Sequence, residues 1–123
     1  MAQILLIDDD DAVRNMLRLT LTHFGHTVTE AGDGRAALKL FDQARPDLVI
    51  TDIVMPTMEG LEVLMELRKR PPPVKIIAMS GGSRKSAADY LDTARLMGAA
   101  KVLTKPFSTD VLLAAIDELL APV

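Results

Sequence analysis

With 123 residues, the chain has room for one domain, against roughly 100–200 residues per domain, and for a core that closes without staples. Hydrophobic residues make up 49% and charged residues 25%, and the absence of cysteine excludes a disulfide scaffold, a thiolate zinc site and a cysteine nucleophile. A formal charge of −3 gives no global basic field for DNA or anionic membrane, and no apolar run approaches the ~20 residues of a membrane span.

Met1-Ala2-Gln3 runs straight into a short apolar segment that ends in acids, unlike a signal peptide. Together with the missing cysteines this points to a reducing, cytoplasmic setting. The first predicted strand is Ile4–Ile7. A helix follows in which Val13, Leu17, Thr20/Leu21 and Phe24 share one face, with Gly25 placed to cap its end. Thr27–Ala31 predicts a second strand, and Ala36/Ala37, Leu40 and Phe41 a second helix. Leu48–Thr51 predicts the third strand, and Leu61, Leu64 and Leu67 the third helix.

Pro71-Pro72-Pro73 breaks the composition but is too short to be a linker between domains, so residues 1–123 read as one. Val74–Met79 predicts the fourth strand. Behind Gly81-Gly82-Ser83, a weak face of Ala87, Leu91, Ala94 and Met97/Gly98 predicts a fourth helix that is locally soft. Lys101–Thr104 predicts the fifth strand. Ser108 then caps a fifth helix with Val111, Leu112, Ala115, Ile116, Leu119 and Leu120 every three to four residues. The runs at 4–7, 48–51 and 74–79 are nearly continuous in apolar residues, as in parallel strands covered on both faces. Five strands alternating with five helices therefore predict a doubly wound α/β fold. In such sheets ligands bind beyond the carboxyl ends of the strands.

Those ends carry the chemistry. The first strand runs into Asp8-Asp9-Asp10-Asp11. Helix capping accounts for Asp10 and Asp11. Two carboxylates held ~4 Å apart repel by about 4 kcal/mol at an effective dielectric of 20, so such a gathering calls for a hard cation. Magnesium suits it better than zinc, because no cysteine is present and His23 and His26 lie elsewhere. The third strand ends in Asp52, the fourth in Ser80, and the fifth in Lys105, which Pro106 biases toward an extended backbone. Each of these alone is ordinary turn, cap or surface chemistry. Together they place carboxylates, a hydroxyl and an ammonium on one rim, a set suited to phosphoryl transfer with a carboxylate nucleophile.

Asp8-Asp9 after an aliphatic strand, Asp52 with Met55-Pro56 and Glu59-Gly60, Ser80, and Lys105-Pro106-Phe107 resemble the receiver domain of two-component response regulators. The likeness runs through essentially the whole chain, and the stand-alone chemotaxis-regulator type is the nearest comparison. It implies a flavodoxin-like (βα)5 fold with strand order 2-1-3-4-5. It implies that Asp52 accepts phosphate from a sensor histidine kinase or histidine phosphotransfer protein. Asp9, Asp52 and the Val54 carbonyl would bind Mg2+ directly, and Asp8 more through water. Ser80 would hydrogen-bond a phosphoryl oxygen, and Lys105 would pair with the phosphate or, before modification, with Asp52. A downstream protein would dock on the fourth helix, fifth strand and fifth helix, with neither nucleic acid nor membrane bound directly. The chain would catalyse only its own phosphorylation and dephosphorylation.

This sequence also departs from the family. Val102 stands where the family has a tyrosine or phenylalanine that moves inward on activation, and neither Tyr90 nor Phe107 replaces it. Gly81-Gly82 replaces an Ala and a larger residue, and the segment from Ser80 to Lys105 is somewhat long. Output is therefore expected from reordering of residues 81 to 98 rather than from an aromatic switch. Three other readings compete. A degenerate receiver would serve only as an interaction module, with Val102 as its support. A haloacid dehalogenase-like phosphatase would use Asp8-Asp9-Asp10, but would leave Asp52 idle and needs a late acid pair, for which only Asp110, Asp117 and Glu118 are available. Flavin binding would set a phosphate against four aspartates with only 3% aromatic residues at hand.

Overall fold

The computed structural model describes residues 2–53, 60–81, 95 and 98–121. Five strands form one parallel sheet: β1 (Gln3–Ile7), β2 (Thr27–Ala31), β3 (Leu48–Asp52), β4 (Lys75–Gly81) and β5 (Lys101–Lys105). Their order is β2-β1-β3-β4-β5, so the predicted flavodoxin-like topology is the observed one. The described helices are α1 (Asp11–His23), α2 (Gly34–Gln43), α3 (Gly60–Arg68) and α4 (Thr109–Leu120), the last being the helix predicted fifth from the sequence. The predicted fourth helix over Ala87, Leu91, Ala94 and Met97 lies outside the described residues, as do Val54, Met55-Pro56, Glu59, Gly82 and Tyr90.

Side-chain alternation along the strands splits the core into two layers. Leu5, Ile7, Val49, Ile76 and Ala78 face α2 and α3, where Ala37, Phe41, Val63, Leu64 and Leu67 close over them. Ile4, Leu6, Leu48, Ile50, Ile77 and Met79 face α1 and α4, against Leu17, Leu21, Leu112, Ala115 and Ile116. Burying one side chain of this size is worth about 1.5–3 kcal/mol, so both helical layers are held by the central strands. The edge strands are thinner: Thr27, Thr29 and Glu30 of β2 are exposed, and β5 is only half-buried.

Two large side chains predicted on buried faces lie outside them. Phe24 is 53% exposed, because it is the C-cap of α1 and the chain turns away there, leaving its ring edge-on to His23. Val111 is 48% exposed in the first turn of α4. The caps themselves behave as the sequence predicts. Ser108 Oγ accepts from the Val111 amide at 3.1 Å. Gly25 adopts φ +93°, and its amide and that of His26 donate back to the Thr22 and Leu21 carbonyls at 3.0 and 3.1 Å. This is the crossed hydrogen-bond pair of a Schellman end.

Gly98 also has a positive φ, +106°, and a Cβ there would sit 2.9 Å from Arg68 Nη1. The arginine tip can swing aside, but the backbone cannot. Gly98→Ala is expected to cost about 1–2 kcal/mol, the penalty for a side chain in left-handed space, seen as a lower urea midpoint with an unchanged slope. An unshifted midpoint would contradict this account of the position.

Candidate functional site

Strand register brings the carboxyl ends together. Ile7 of β1 pairs with Thr51 of β3, so the next residue on each strand is an aspartate, Asp8 and Asp52. Asp52 pairs with Met79, which sets Ser80 one step further along β4, and Gly81 pairs with Lys105 of β5. The central strands are buried, and these polar residues begin where their apolar runs stop.

Asp8 is fully buried, Asp52 is 8% exposed and Ser80 1%. Lys105 Nζ donates to Asp8 Oδ2 and to Asp52 Oδ2, each at 3.0 Å. Burial by itself would push the Lys105 ammonium down. The hydrogen bonds and charge of the two carboxylates outweigh it and hold the group above its ordinary value. The second Asp8 oxygen accepts from the Asp10 amide at 2.9 Å. Asp10 in turn is the N-cap of α1, accepting from the Ala12 and Val13 amides at 3.0 and 3.1 Å. Asp11 falls in the first turn, as capping predicts for the acids that the site does not use.

One oxygen each from Asp8, Asp9 and Asp52 lie within 4.8 Å of one another, with Asp9 exposed at the mouth. Three carboxylates and no sulfur or imidazole make an all-oxygen donor set, the kind a hard divalent cation takes. The one charge of Lys105, which contacts Asp8 and Asp52, balances only part of the negative charge of three carboxylates. The residues present therefore fit a magnesium ion. The Val54 carbonyl expected to join them lies outside the described residues.

Asp8, Asp9, Asp52 and Lys105 thus form one cluster, and Ser80 stands on the adjoining strand end. Asp117 is not there: it lines a cavity with Ala2, His26, Pro73 and Lys75 at the amino ends of the strands. Glu118 pairs with Lys101 at 2.8 Å. Two of the three late acids available to a dehalogenase-like site, Asp117 and Glu118, are therefore turned elsewhere. Sequence reasoning misses two partners. The bond from Lys105 to Asp8 joins positions 97 residues apart, and no local spacing announces it. Arg14 has no place among the sequence-predicted site residues, yet its guanidinium donates to the Asp8 carbonyl and to Asp11 Oδ1, both at 2.6 Å. The i,i+3 spacing of Asp11 and Arg14 signals only the second of these contacts.

Comparison with known proteins agrees with the fold. The family described as "Response regulator receiver domain" matches residues 4–117. The response regulator MprA of Mycolicibacterium vanbaalenii is 40% identical over 121 residues, which are 96% of this chain and 50% of that protein. The sensor kinase CckA of Brucella abortus is 38% identical over 97% of this chain, but over only 12% of its own length. Among solved structures, the chemotaxis response regulator CheY4 of Vibrio cholerae superposes with a TM-score of 0.85 at 31% identity, covering 98% of this chain and 99% of that one. A response regulator receiver domain protein from Clostridium thermocellum gives 0.90 at 30% identity, covering 98% and 94%. The chain spans half the length of the curated MprA regulators it matches. In sequence and in strand order, the chain belongs to the response regulator receiver family of two-component signalling.

Proposed function

We propose that Asp52 is a phosphoacceptor whose modification, with Mg2+ at Asp8, Asp9, Asp52 and the Val54 carbonyl, switches partner binding. The observation that carries this reading is the Lys105 ammonium bridging Asp8 and Asp52, with a third carboxylate beside them. Bound among these carboxylates, the ion supplies positive charge against the phosphoryl oxygens. An Asp52 carboxylate oxygen attacks phosphorus and forms the new O–P bond. The bond to the donor breaks on the opposite side, and the leaving group keeps that electron pair. With a phosphohistidine donor the imidazole departs and picks up a proton. Lys105 then exchanges a carboxylate partner for a phosphoryl oxygen, and the Ser80 hydroxyl donates to another.

Response regulators partner with sensor kinases, and a kinase or histidine phosphotransfer protein is the proposed donor here. The product is an acyl phosphate whose added charge shifts a conformational equilibrium. The downstream surface proposed is the predicted fourth helix with β5 and α4. The chain acts on itself and is a signalling module, working in the cytoplasm. Neither nucleic acid nor membrane is proposed as a direct partner, and no described helix is long and apolar enough to cross a membrane.

Acetyl phosphate with Mg2+ is expected to add the mass of one phosphoryl group to the intact protein, and none once the metal is chelated. Equal labelling with and without metal would contradict the proposed site.

A further inference from the structure

Arg14 sits where three elements meet, and the proposed chemistry gives it no role. Its side chain is 17% exposed. Nη1 donates to the main-chain carbonyl of Asp8 and Nη2 to Asp11, both at 2.6 Å, while Nε lies 3.4 Å from Glu30 Oε1 on β2. Arg18 Nε holds the other Glu30 oxygen at 3.1 Å, so the carboxylate that anchors Arg14 is itself fixed. Gly32 follows β2, and a Cβ there would come within 3.3 Å of Arg14 Nη1. The backbone thus leaves just the space that the guanidinium fills.

The Asp8 backbone is gripped from two sides: its amide donates to the Ala31 carbonyl at 3.2 Å and its carbonyl accepts from Arg14. The turn gripped in this way carries four consecutive aspartates that repel one another. We infer that Arg14 is a positioning residue: its planar fork fixes the turn between β1 and α1 so that Asp8 and Asp9 stand ready beside Asp52 before any cation arrives. This rests on the reading of those three acids as a Mg2+ site. It extends the site to a triad, Arg14–Glu30–Arg18, that touches neither metal nor phosphoryl group.

Positioning and simple charge make opposite predictions. Arg14 is a cation near a cation site, so its field alone opposes Mg2+, and its loss would tighten binding. Lysine keeps the charge but cannot reproduce the fork. Partners that orient a ligand residue typically contribute 10–100-fold to metal affinity. The test is calorimetric titration of Mg2+ into the full chain, with thermal melting alongside. Arg14→Lys and Arg14→Gln are both expected to bind about tenfold more weakly than wild type. Equal affinity in Arg14→Lys, tighter binding in Arg14→Gln, or a lowered melting point with an unchanged Kd would each overturn the inference.

Should Arg14→Lys fail to fold, Glu30→Gln at about 0.5 M salt gives the same reading on an exposed edge strand, with the lost charge screened. Weaker binding supports a tethered Arg14, and unchanged binding overturns it. If wild type takes up no Mg2+ at all, the metal reading falls with it, and that result is distinct from one in which wild type binds and the variants match it.

Discussion

Asp52→Asn is expected to abolish Mg2+-dependent phosphorylation without unfolding the chain. Asparagine has nearly the same shape, so the buried packing around position 52 survives. Its amide lacks the anionic oxygen needed to attack phosphorus and is a poorer ligand for a hard cation. Both losses act on the same step, and the mass gain from acetyl phosphate should vanish. Stability should respond differently. Without metal, Asp8 and Asp52 share one ammonium at 3.0 Å each. The variant leaves Lys105 with Asp8 in a balanced pair and removes the repulsion between two nearly buried carboxylates. Its melting temperature without metal should therefore match or exceed that of wild type. Full labelling of the variant would exclude Asp52 as the acceptor, and a large loss of stability would contradict this charge balance.

Lys105→Met carries the second large effect. Removing the ammonium takes away the cation that bridges a fully buried Asp8 and a nearly buried Asp52. Breaking a buried ion pair by deleting one partner costs about 3–5 kcal/mol. The lysine side chain is 23% exposed, so solvent screens part of this, and about 3 kcal/mol is expected. At ~4 °C per kcal/mol for a domain of this size, the melting temperature should fall by roughly 12 °C in chelator. Saturating Mg2+ should recover part of that loss, because the ion supplies charge to the same carboxylates.

The pH dependence follows from the direction in which Lys105 is shifted. Its folded-state pKa is raised, by Asp8 and Asp52 acting against the opposing effect of burial. The stability it contributes is therefore fully present below its unfolded value of about 10.4 and is lost as pH rises through the folded value. From neutral pH up to about 10 the gap between wild type and Lys105→Met should be constant, and it should close above that. A variant as stable as wild type at neutral pH in chelator would refute the bridging role.

The sheet was legible because its central strands are continuous apolar runs, such as Leu48-Val49-Ile50, and parallel strands covered on both faces need little else. Strand ends were less so. Asp52 and Lys105 extend β3 and β5 past the apolar residues, because the ladder between neighbouring strands does not stop where the hydrophobic pattern does. Phe24 and Val111 keep helical spacing yet stand in solvent, since periodicity says which face a residue is on and not whether a neighbour covers it there.

At the site, residue types at strand ends were enough to place Asp8, Asp9, Asp52, Ser80 and Lys105 on one rim once the topology was fixed. The contacts among them were not. That Lys105 takes Asp8 as well as Asp52, and that Arg14 holds a main-chain carbonyl, depend on register and side-chain reach across the chain. The excess of acids over bases also takes on a location. Without Asp8 to Asp11 the chain would carry one more base than acid, so its net negative charge belongs to the turn beside the site.

Reductive trapping tests the central claim most directly. Borohydride reduces an acyl phosphate to an alcohol, converting a phosphorylated aspartate to homoserine. After acetyl phosphate and Mg2+, peptide mass spectrometry should find homoserine at position 52 and nowhere else. Homoserine at Asp8 or Asp9, or a phosphoryl group that resists borohydride on Ser80, would contradict the assignment of Asp52.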